Sequence, residues 1–474
     1  MPRYPLNIVG GQRESRSRAV NAQLLLNWYA EIEGPNANSP APLYPFPGLL
    51  KKTTAGNGPR RGSGAYWPST NMDYIVSGSG FYEIDGNYAA TLKGTLGTST
   101  GWITITVGVS HLMIVDGAKA YSYTTAGTFA EITGLPIVPG LGMWNDNYFM
   151  LNEVDTGNWN ISTLNDPTTG NWAALDTVTA EKRPDNLLRL AWLRGKPLAI
   201  GQYTSELYAN TGAAFPFERY PNTVFSWGTP AVASVGEAKD SIFMVSRSSV
   251  GDVSVVKISY EEPQVISHPA LNYQLSQGAF QDAQGWCYEQ FGHTFYQLVL
   301  PTVGRVYLWD DNTQIWTERT TGTARHRGLG SHYMVGLGEQ LVGDYENGNN
   351  YILDKSTYTD NGTFIERVMR SAPFSTKDRN TFRCNRIEAE FEEGVGNQNS
   401  PGNDPLVFIR WSWDGARTFS NWMTSPIGKI GEYDNVAAVH RCGHGRDLTV
   451  EVKVTEPIEA VLLGVYIDIE PGYH

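Results

Sequence analysis

The chain has 474 residues and a net charge of −12, with 18% charged residues, 12% aromatic residues, 50 glycines and 26 prolines. This length exceeds one ordinary hydrophobic core unless the chain forms a closed repeat fold. Low charge together with many aromatic residues and turn-forming residues is typical of all-β proteins. The absence of an apolar run of about 18 residues argues against a membrane span. No apolar signal peptide follows the N-terminus, so we do not expect secretion by that route.

The distribution of charge along the chain and the spacing of the cysteines indicate how the chain meets nucleic acid and where it assembles. Residues 1–61 contain 8 Lys/Arg and 3 Asp/Glu, residues 62–368 contain 17 and 30, and residues 369–474 contain 11 and 15. The net charges are therefore +5, −13 and −4. An acidic body disfavours tight wrapping around nucleic acid but allows DNA to pass without sticking. Three widely spaced cysteines, Cys287, Cys384 and Cys442, predict no structural disulfide and fit assembly in a reducing cytoplasm.

Residues 1–61 are predicted to be an extended arm or interface segment, because Gly10-Gly11 and the proline-rich stretch 35–47 break regular structure. Within it, the spacing of apolar residues over 20–32 predicts a helix of about three turns. That helix would either pack on the body or grip a neighbouring subunit. Short basic clusters would meet an acidic neighbour or a phosphate backbone, or simply aid solubility. The candidate interface residues are Arg16, Arg18, Trp28, Tyr29, Lys51, Lys52, Arg60 and Arg61.

Residues 62–368 contain a loose repeat of paired apolar strands. The second strand of each unit contains a residue of one aligned set, which recurs every 38 to 52 positions: Tyr82, Tyr121, Trp159, Tyr208, Val255, Tyr307 and Tyr351. This interval matches one four-stranded blade of a β-propeller. The pattern predicts about seven blades, or six if one unit belongs elsewhere. A series of β-sandwiches is the rival interpretation.

Residues 369–474 have a different character and predict a separate antiparallel β-sandwich of six or more strands. Strict alternation of apolar and polar residues over 449–454 predicts a strand with one buried and one wet face. The Gly/Asn/Pro-rich stretch 394–405 predicts a mobile loop.

The sequence contains none of the common catalytic motifs for phosphate binding, zinc proteolysis or serine hydrolysis. Residues 440–444 read His-Arg-Cys-Gly-His, but neighbouring side chains on one face of a strand lie about 6.6 Å apart, too far for one ion. Residues 412–419 resemble the Asp-box of sialidases, with Ala416 where that box has glycine, and this box is a turn remote from catalysis. We therefore predict a non-enzymatic protein with no catalytic site, metal or cofactor.

Several segments, in their order along the chain, resemble the packaged-DNA stabilisation proteins of short-tailed bacteriophages. At the start are an Asn-Trp-Tyr segment, a Pro-Gly-Leu turn and an Arg-Gly entry to the first strands. The middle and the C-terminal module are also similar. These segments are residues 27–31, 45–49, 61–64, 184–186, 207–217, 409–415 and 427–433.

The resemblance implies a subunit of the virion tail hub, also called the nozzle or tail accessory factor. Members of this family form a homo-hexameric ring below the portal and its adaptor ring, retain packaged DNA, line the DNA exit channel and anchor tailspikes or fibres. Passing double-stranded DNA would be handled without sequence-specific binding, and the chain would insert into no membrane. The alternatives are a carbohydrate-binding or glycan-cleaving propeller of a phage tail, and a cellular scaffold propeller.

Overall fold

The computed structural model describes residues 2–18, 20–34, 37, 39–180, 185–213, 215–248, 251–259, 262–278, 280–323 and 325–472. Strands dominate these residues, which contain one α-helix, Pro269–Gln277, and one short 3-10 helix, Val232–Ser234. The all-β prediction is therefore confirmed. Pro184, the first residue of the family-like segment 184–186, lies outside the described residues.

Seven four-stranded antiparallel sheets follow one another around a ring, and their innermost strands contact each other in sequence from the first sheet back to it. Six of these blades consist of consecutive strands. They are Ala65–Trp67, Met72–Ser77, Gly80–Ile84 and Ala90–Thr95 (blade 1); Thr104–Val107, His111–Val115, Ala120–Thr124 and Phe129–Glu131 (blade 2); Pro139–Asn145, Tyr148–Glu153, Asn158–Ser162 and Trp172–Thr179 (blade 3); Leu187–Leu193, Lys196–Gly201, Ser205–Asn210 and Phe217–Phe225 (blade 4); Gly236–Ala238, Ser241–Arg247, Val253–Ile258 and Gln264–Val265 (blade 5); and Gln284–Gln290, His293–Leu300, Arg305–Asp310 and Ile315–Glu318 (blade 6).

Blade 7 is completed by the N-terminal part of the chain. Its inner strands are Gly330–Gly336, Glu339–Asp344 and Asn349–Leu353, and its outer strand is Leu49–Thr54, which pairs antiparallel with Asn349–Leu353. The ring is thus closed by hydrogen bonds between residues about 300 positions apart in the sequence. Such closure leaves the propeller without the open edge that a simple series of blades would have.

The recurring aromatic residues fill the spaces between blades. Tyr121, Trp159, Tyr208 and Tyr307 are each at most 3% exposed, because they lie on third strands whose faces are covered by the neighbouring sheet. Blades 1 and 2, for example, share a cluster in which the ring of Tyr123 lies 5.3 Å from that of Phe81. The repeat seen in the sequence is therefore the packing repeat of the blades.

The predicted helix over residues 20–32 is wrong. Residues Ala22–Leu26 and Trp28–Ala30 are strands, and Asn27 between them has a left-handed φ of 57° that breaks helical geometry. All five residues of Ala22–Leu26 are buried, so the apolar run is covered on both faces of a sheet rather than along one face of a helix.

The C-terminal residues form two facing sheets around one core, and the N-terminal segment contributes to both. The first sheet contains Arg3–Pro5, Trp28–Ala30, Leu43–Pro45, Phe382–Phe391, Ala437–His440, His444–Gly445 and Leu462–Pro471. The second contains Arg13–Glu14, Ala22–Leu26, Arg367–Arg370, Phe374–Ser375, Leu406–Ser412, Met423–Pro426 and Asp447–Val454. The remaining strands are the short pairs Thr320–Thr321 with His326–Arg327, and Thr359–Asp360 with Thr363–Phe364.

One continuous sheet joins the sandwich to the propeller. Leu26 pairs in parallel with Glu318, the last residue of blade 6, and pairs antiparallel with Val368 on its other side. Residues 2–61 are therefore integrated into the body: they supply five strands of the sandwich and the closing strand of blade 7.

Candidate interaction surfaces

The structure divides the eight candidate interface residues into two groups of four. Arg16, Arg18, Lys51 and Lys52 are exposed. Trp28, Tyr29, Arg60 and Arg61 are at most 3% exposed. The second group is therefore unavailable to a partner while the chain is folded, and its members have internal roles.

Trp28 packs inside the sandwich, and Tyr29 joins the sandwich to the propeller. Trp28 donates a hydrogen bond from Nε1 to the carbonyl of Ala460, 2.9 Å away, inside the sandwich core. The ring of Tyr29 packs against Phe46 and Phe295, with ring centres 5.0 and 5.7 Å apart, and burial raises the pKa of its hydroxyl well above the usual range. Trp28 is therefore a core residue of the sandwich, and Tyr29 is a structural contact between the two units.

Arg61 fastens the connection between blades 1 and 2 to the hairpin of blade 1 through five hydrogen bonds. Its guanidinium donates to the carbonyls of Gly78, Thr98, Thr100 and Gly101 and to the hydroxyl of Thr98, with N···O distances of 2.8 to 3.0 Å for four of them. Since arginine has five N–H donors in a planar fork, this site uses its full capacity. Burial lowers the pKa of Arg61 from its ordinary value.

Arg60 lies where blade 7 meets blade 1. Its guanidinium contacts the side-chain oxygen of Asn350 and the sulfur of Met334, and it interacts electrostatically with Asp73. Burial lowers the pKa of Arg60 to about 9 and raises the pKa of Asp73 to about 6, although each partner's charge opposes these shifts. The mutual attraction of the two charges therefore does not offset the cost of desolvating them at the junction of blades 7 and 1.

The four exposed cations lie along the outside of the molecule. Arg18 donates to the carbonyl of Ala416 in the sandwich, 3.3 Å away, and the guanidinium of Arg16 lies 5.1 Å from the ring of Tyr273. Lys51 and Lys52 lie on the closing strand of blade 7. Two separate surface regions, rather than one patch, therefore carry these charges.

A buried network of ion pairs connects the N-terminal strands, blade 6 and the sandwich. Glu318 is fully buried and accepts from Arg305 at 2.6 Å and from Arg325, which also contacts Glu14 at 2.8 Å. Glu14 in turn meets Arg370 at 3.2 Å. The network ends at Glu451, which binds both Arg370 and Arg410. Because the acids alternate with arginines, each buried charge has a partner across the junction. The sequence offered no local signal for this network.

A cavity of about 270 Å³ follows the propeller axis, lined by residues of the inner strands of blades 2 to 5. Three tryptophans line it: Trp102, Trp144 and Trp192. Arg189 lines it as well and pairs with Glu237 at 3.4 Å, so this carboxylate is neutralised. The cavity offers aromatic faces and polar groups but no paired carboxylates for glycoside hydrolysis.

The predicted Asp-box is a turn. Asp414 accepts hydrogen bonds from the backbone amides of Arg417 and Thr418 and from the hydroxyls of Ser412 and Thr418, which hold the pKa of its carboxyl well below its usual range. Within the described residues, no cluster of three or more His, Cys, Asp or Glu side chains has the arrangement of a metal site. Cys287, Cys384 and Cys442 are free and buried. No described helix has the length and apolar character needed to cross a membrane.

A family model described as Bacteriophage P22 Gp10, beta-propeller, matches residues 4–358, about three quarters of the chain. The chain belongs to this family. The family consists of structural virion proteins that stabilise packaged phage DNA, so the chain is a structural protein of the phage tail and not an enzyme. The resemblance seen in the sequence is confirmed.

No curated protein matches the chain. Among solved structures, similar backbones include the Pan2 WD40 domain of Neurospora crassa (9% identity, 65% of this chain and 95% of that chain, TM-score 0.42). Others are virginiamycin B lyase from Staphylococcus aureus (10% identity, 64% and 97%, TM-score 0.41) and BamB from Moraxella catarrhalis (12% identity, 70% and 99%, TM-score 0.40). At these values the likenesses bear on neither function nor partners.

Proposed function

We propose that the chain is the ring-forming subunit of the tail hub, or nozzle, of a short-tailed phage. Six copies would sit below the portal and its adaptor ring, retain packaged DNA, form the DNA exit channel and anchor tailspikes or fibres. Assembly would take place in the host cytoplasm before or as the tail is completed. The observation that carries the proposal is membership of the packaged-DNA stabilisation family over residues 4–358.

The mechanical design of the molecule supports this role. The propeller is closed by the strand Leu49–Thr54, and the sandwich continues the sheet of blade 6 through Leu26. The buried network around Glu318 adds charged crosslinks to the same junction. A subunit that resists DNA pressure needs units that cannot rotate against each other, and a shared sheet with a shared core meets that need.

The charge of the propeller supports passage of DNA rather than capture. Residues 62–368 have a net charge of −13. Carboxylates that face the lumen of a ring would repel phosphates within about 8 Å at cellular salt. Passage would then be smooth and independent of sequence. The exposed cations Arg16, Arg18, Lys51 and Lys52 would supply at most salt-sensitive binding.

The test is a phage in which the gene is replaced by a stop-codon version and supplied in trans. Particles that lack the protein should package DNA and then release it, and the wild-type chain should restore retention. Images of complemented particles should show the chain as a ring below the portal and adaptor. Full retention of DNA by particles that lack the chain would overturn the proposal.

A second candidate function, binding of a carbohydrate, is favoured by the three tryptophans of the axial cavity. Aromatic faces bind the apolar faces of sugar rings, and Arg189 would add hydrogen-bond donors. A glycan array with the purified chain tests this function. Binding should be lost on Trp192→Ala, because Trp192 is 45% exposed and accessible at the surface of the cavity. An array without hits would remove this candidate.

A further inference from the structure

The two ends of the sandwich carry opposite charge. At one end lie the connections 392–405, 427–436 and 455–461, which contain seven Asp/Glu and one Lys. They pack together: Asn397 donates to the carbonyl of Pro457 at 3.1 Å, and Lys429 meets Asp404 at 3.6 Å. Glu31 and Glu33 belong to the same acidic end. Burial is the main cause that raises the pKa of Tyr44, and the charges of Glu31, Glu33, Glu392 and Glu459 all raise it further, because all four lie near this side chain.

The basic end lies at the opposite ends of the same strands. Its connections 371–381, 413–422 and 441–446 contain five Lys/Arg and two Asp, and Arg18 is hydrogen-bonded to one of them. All five cations are exposed: Lys377, Arg379, Arg417, Arg441 and Arg446. The ten-residue strand Phe382–Phe391 runs from the basic end to the acidic end, which places the two about 30 Å apart.

The acidic end presents an apolar knob. Tyr433 is 69% exposed and lies between Glu432 and Asp434, and the nearby Ile430 and Val436 are 56% and 53% exposed. The loop is ordered from within, because the amide of Lys429 donates to the carboxylate of Glu432 at 2.9 Å. The ring of Tyr433 lies beside Gly394 with most of its surface exposed, and a large exposed aromatic side chain with apolar neighbours and a charged rim is typical of an interface anchor.

The basic end presents a groove of about 560 Å³. Its apolar lining includes Trp413, Pro373 and Ala372, and Arg379 and Arg417 line it as well. Trp413 is held in place by a hydrogen bond from Nε1 to the carbonyl of Cys442, 2.9 Å away. An aromatic lining between two arginines is the chemical complement of a tyrosine between two carboxylates.

We propose that the Tyr433 knob of one copy docks in the Trp413 groove of a second copy of this chain, head to tail. Because the knob and the groove lie on opposite ends of one rigid sandwich, the contact is heterologous, and repeated copies close into a ring when the rotation per copy allows it. The inference rests on the proposed ring-forming function and identifies which surfaces of the chain would build the ring.

The observations favour a second copy over DNA as the occupant of the groove. Asp414 and Asp447 also line it beside Arg379 and Arg417, so the groove has mixed charge around its apolar lining, whereas a phosphate backbone selects a uniformly basic surface. Arg379 meets Asp447 at 3.0 Å with 69% of its side chain exposed, and Arg417 is exposed as well, so both guanidinium groups are accessible to an incoming acid. A complementary acidic and aromatic surface exists on the chain itself.

The test is self-association of the full-length chain, measured by sedimentation velocity at low salt and at high salt. Wild-type protein should form a closed ring whose association weakens with salt. Arg379→Glu with Arg417→Glu, and separately Asp434→Arg, should each weaken association at least about tenfold. A chain carrying all three substitutions should regain association, since the charges of both surfaces are reversed together.

Two further variants test whether the loss of association arises at the proposed contact. Tyr433→Ser removes the anchor without touching the fold and should weaken association at least about tenfold. The matched control is Glu218→Lys with Glu339→Lys, two exposed carboxylates of blades 4 and 7, which should associate as wild type. Circular dichroism should show the same folded state for every variant.

The outcomes separate this inference from the proposed function. Rings in particles together with unchanged association of both charge-reversed variants would overturn the inference alone. Loss of duplex DNA binding, without loss of association, in the Arg379 and Arg417 variant would also overturn it in favour of a nucleic-acid site. Absence of any ring from particles would overturn the proposed function itself.

Discussion

Substitution of Arg61 by alanine should destabilise the propeller and leave DNA binding unchanged. The sequence suggests a surface cation, but in the structure the side chain is 3% exposed and donates five hydrogen bonds to blade 1 and to the connection that leads to blade 2. Hydrogen bonds to a charged group each contribute about 1.5–3 kcal/mol. Adding these contributions overestimates the loss, because water can reach the acceptors after truncation and because the substitution also removes a buried charge. We expect a loss of about 2–4 kcal/mol in the free energy of unfolding.

The assay is urea unfolding followed by tryptophan fluorescence, in which Trp102 reports locally because it follows Gly101, one of the acceptors. Arg61→Lys should lie between wild type and alanine, since lysine has three donors for five acceptor positions. The exposed Lys51→Ala should change the free energy of unfolding by less than about 0.5 kcal/mol. An Arg61→Ala variant that unfolds at the wild-type urea concentration, or that loses DNA binding while keeping its stability, would refute this reasoning.

Three further predictions concern other buried polar groups. Burial raises the pKa of Asp73 to about 6 from 3.8, so the folded state binds more protons between these values and loses stability as pH rises through that window; Asp73→Asn should remove this dependence in urea titrations at pH 4.5 and 7. Glu318→Gln leaves Arg305 without a counter-charge and Arg325 with Glu14 alone, and it should cost about 2–4 kcal/mol, whereas Glu289→Gln in an exposed pair should cost less than about 1 kcal/mol in the same titration. Asn27→Ala should lower the free energy of unfolding by about 2–4 kcal/mol in thermal or urea unfolding, because it loses buried hydrogen bonds and places alanine at a φ of 57°. Asn27→Gly loses the same hydrogen bonds but tolerates that φ. An equal loss in both variants would show that backbone strain contributes nothing.

The repeat of apolar strands and aromatic residues determined the propeller from the sequence alone. Each blade is a local unit of about 40 residues, so the residues that pack it are near neighbours in the chain and leave a period that can be read directly. Tyr121, Trp159 and Tyr208 mark this period and are buried between blades. The change of character near residue 369 was equally local, and strands of the sandwich follow it.

Only the tertiary structure determines where residues 2–61 lie and which strands they pair with. A short extended strand such as Leu49–Thr54 has no period of its own, and its partner Asn349–Leu353 lies about 300 residues away, so nothing in the local sequence identifies the pairing. For the same reason Arg60 and Arg61 could be taken for surface cations: a basic dipeptide reveals its burial only through distant acceptors. The pairing of strands and the burial of charged residues both depend on contacts between segments that are remote in the chain. A single sequence contains the residues that make these contacts but does not show which residues meet.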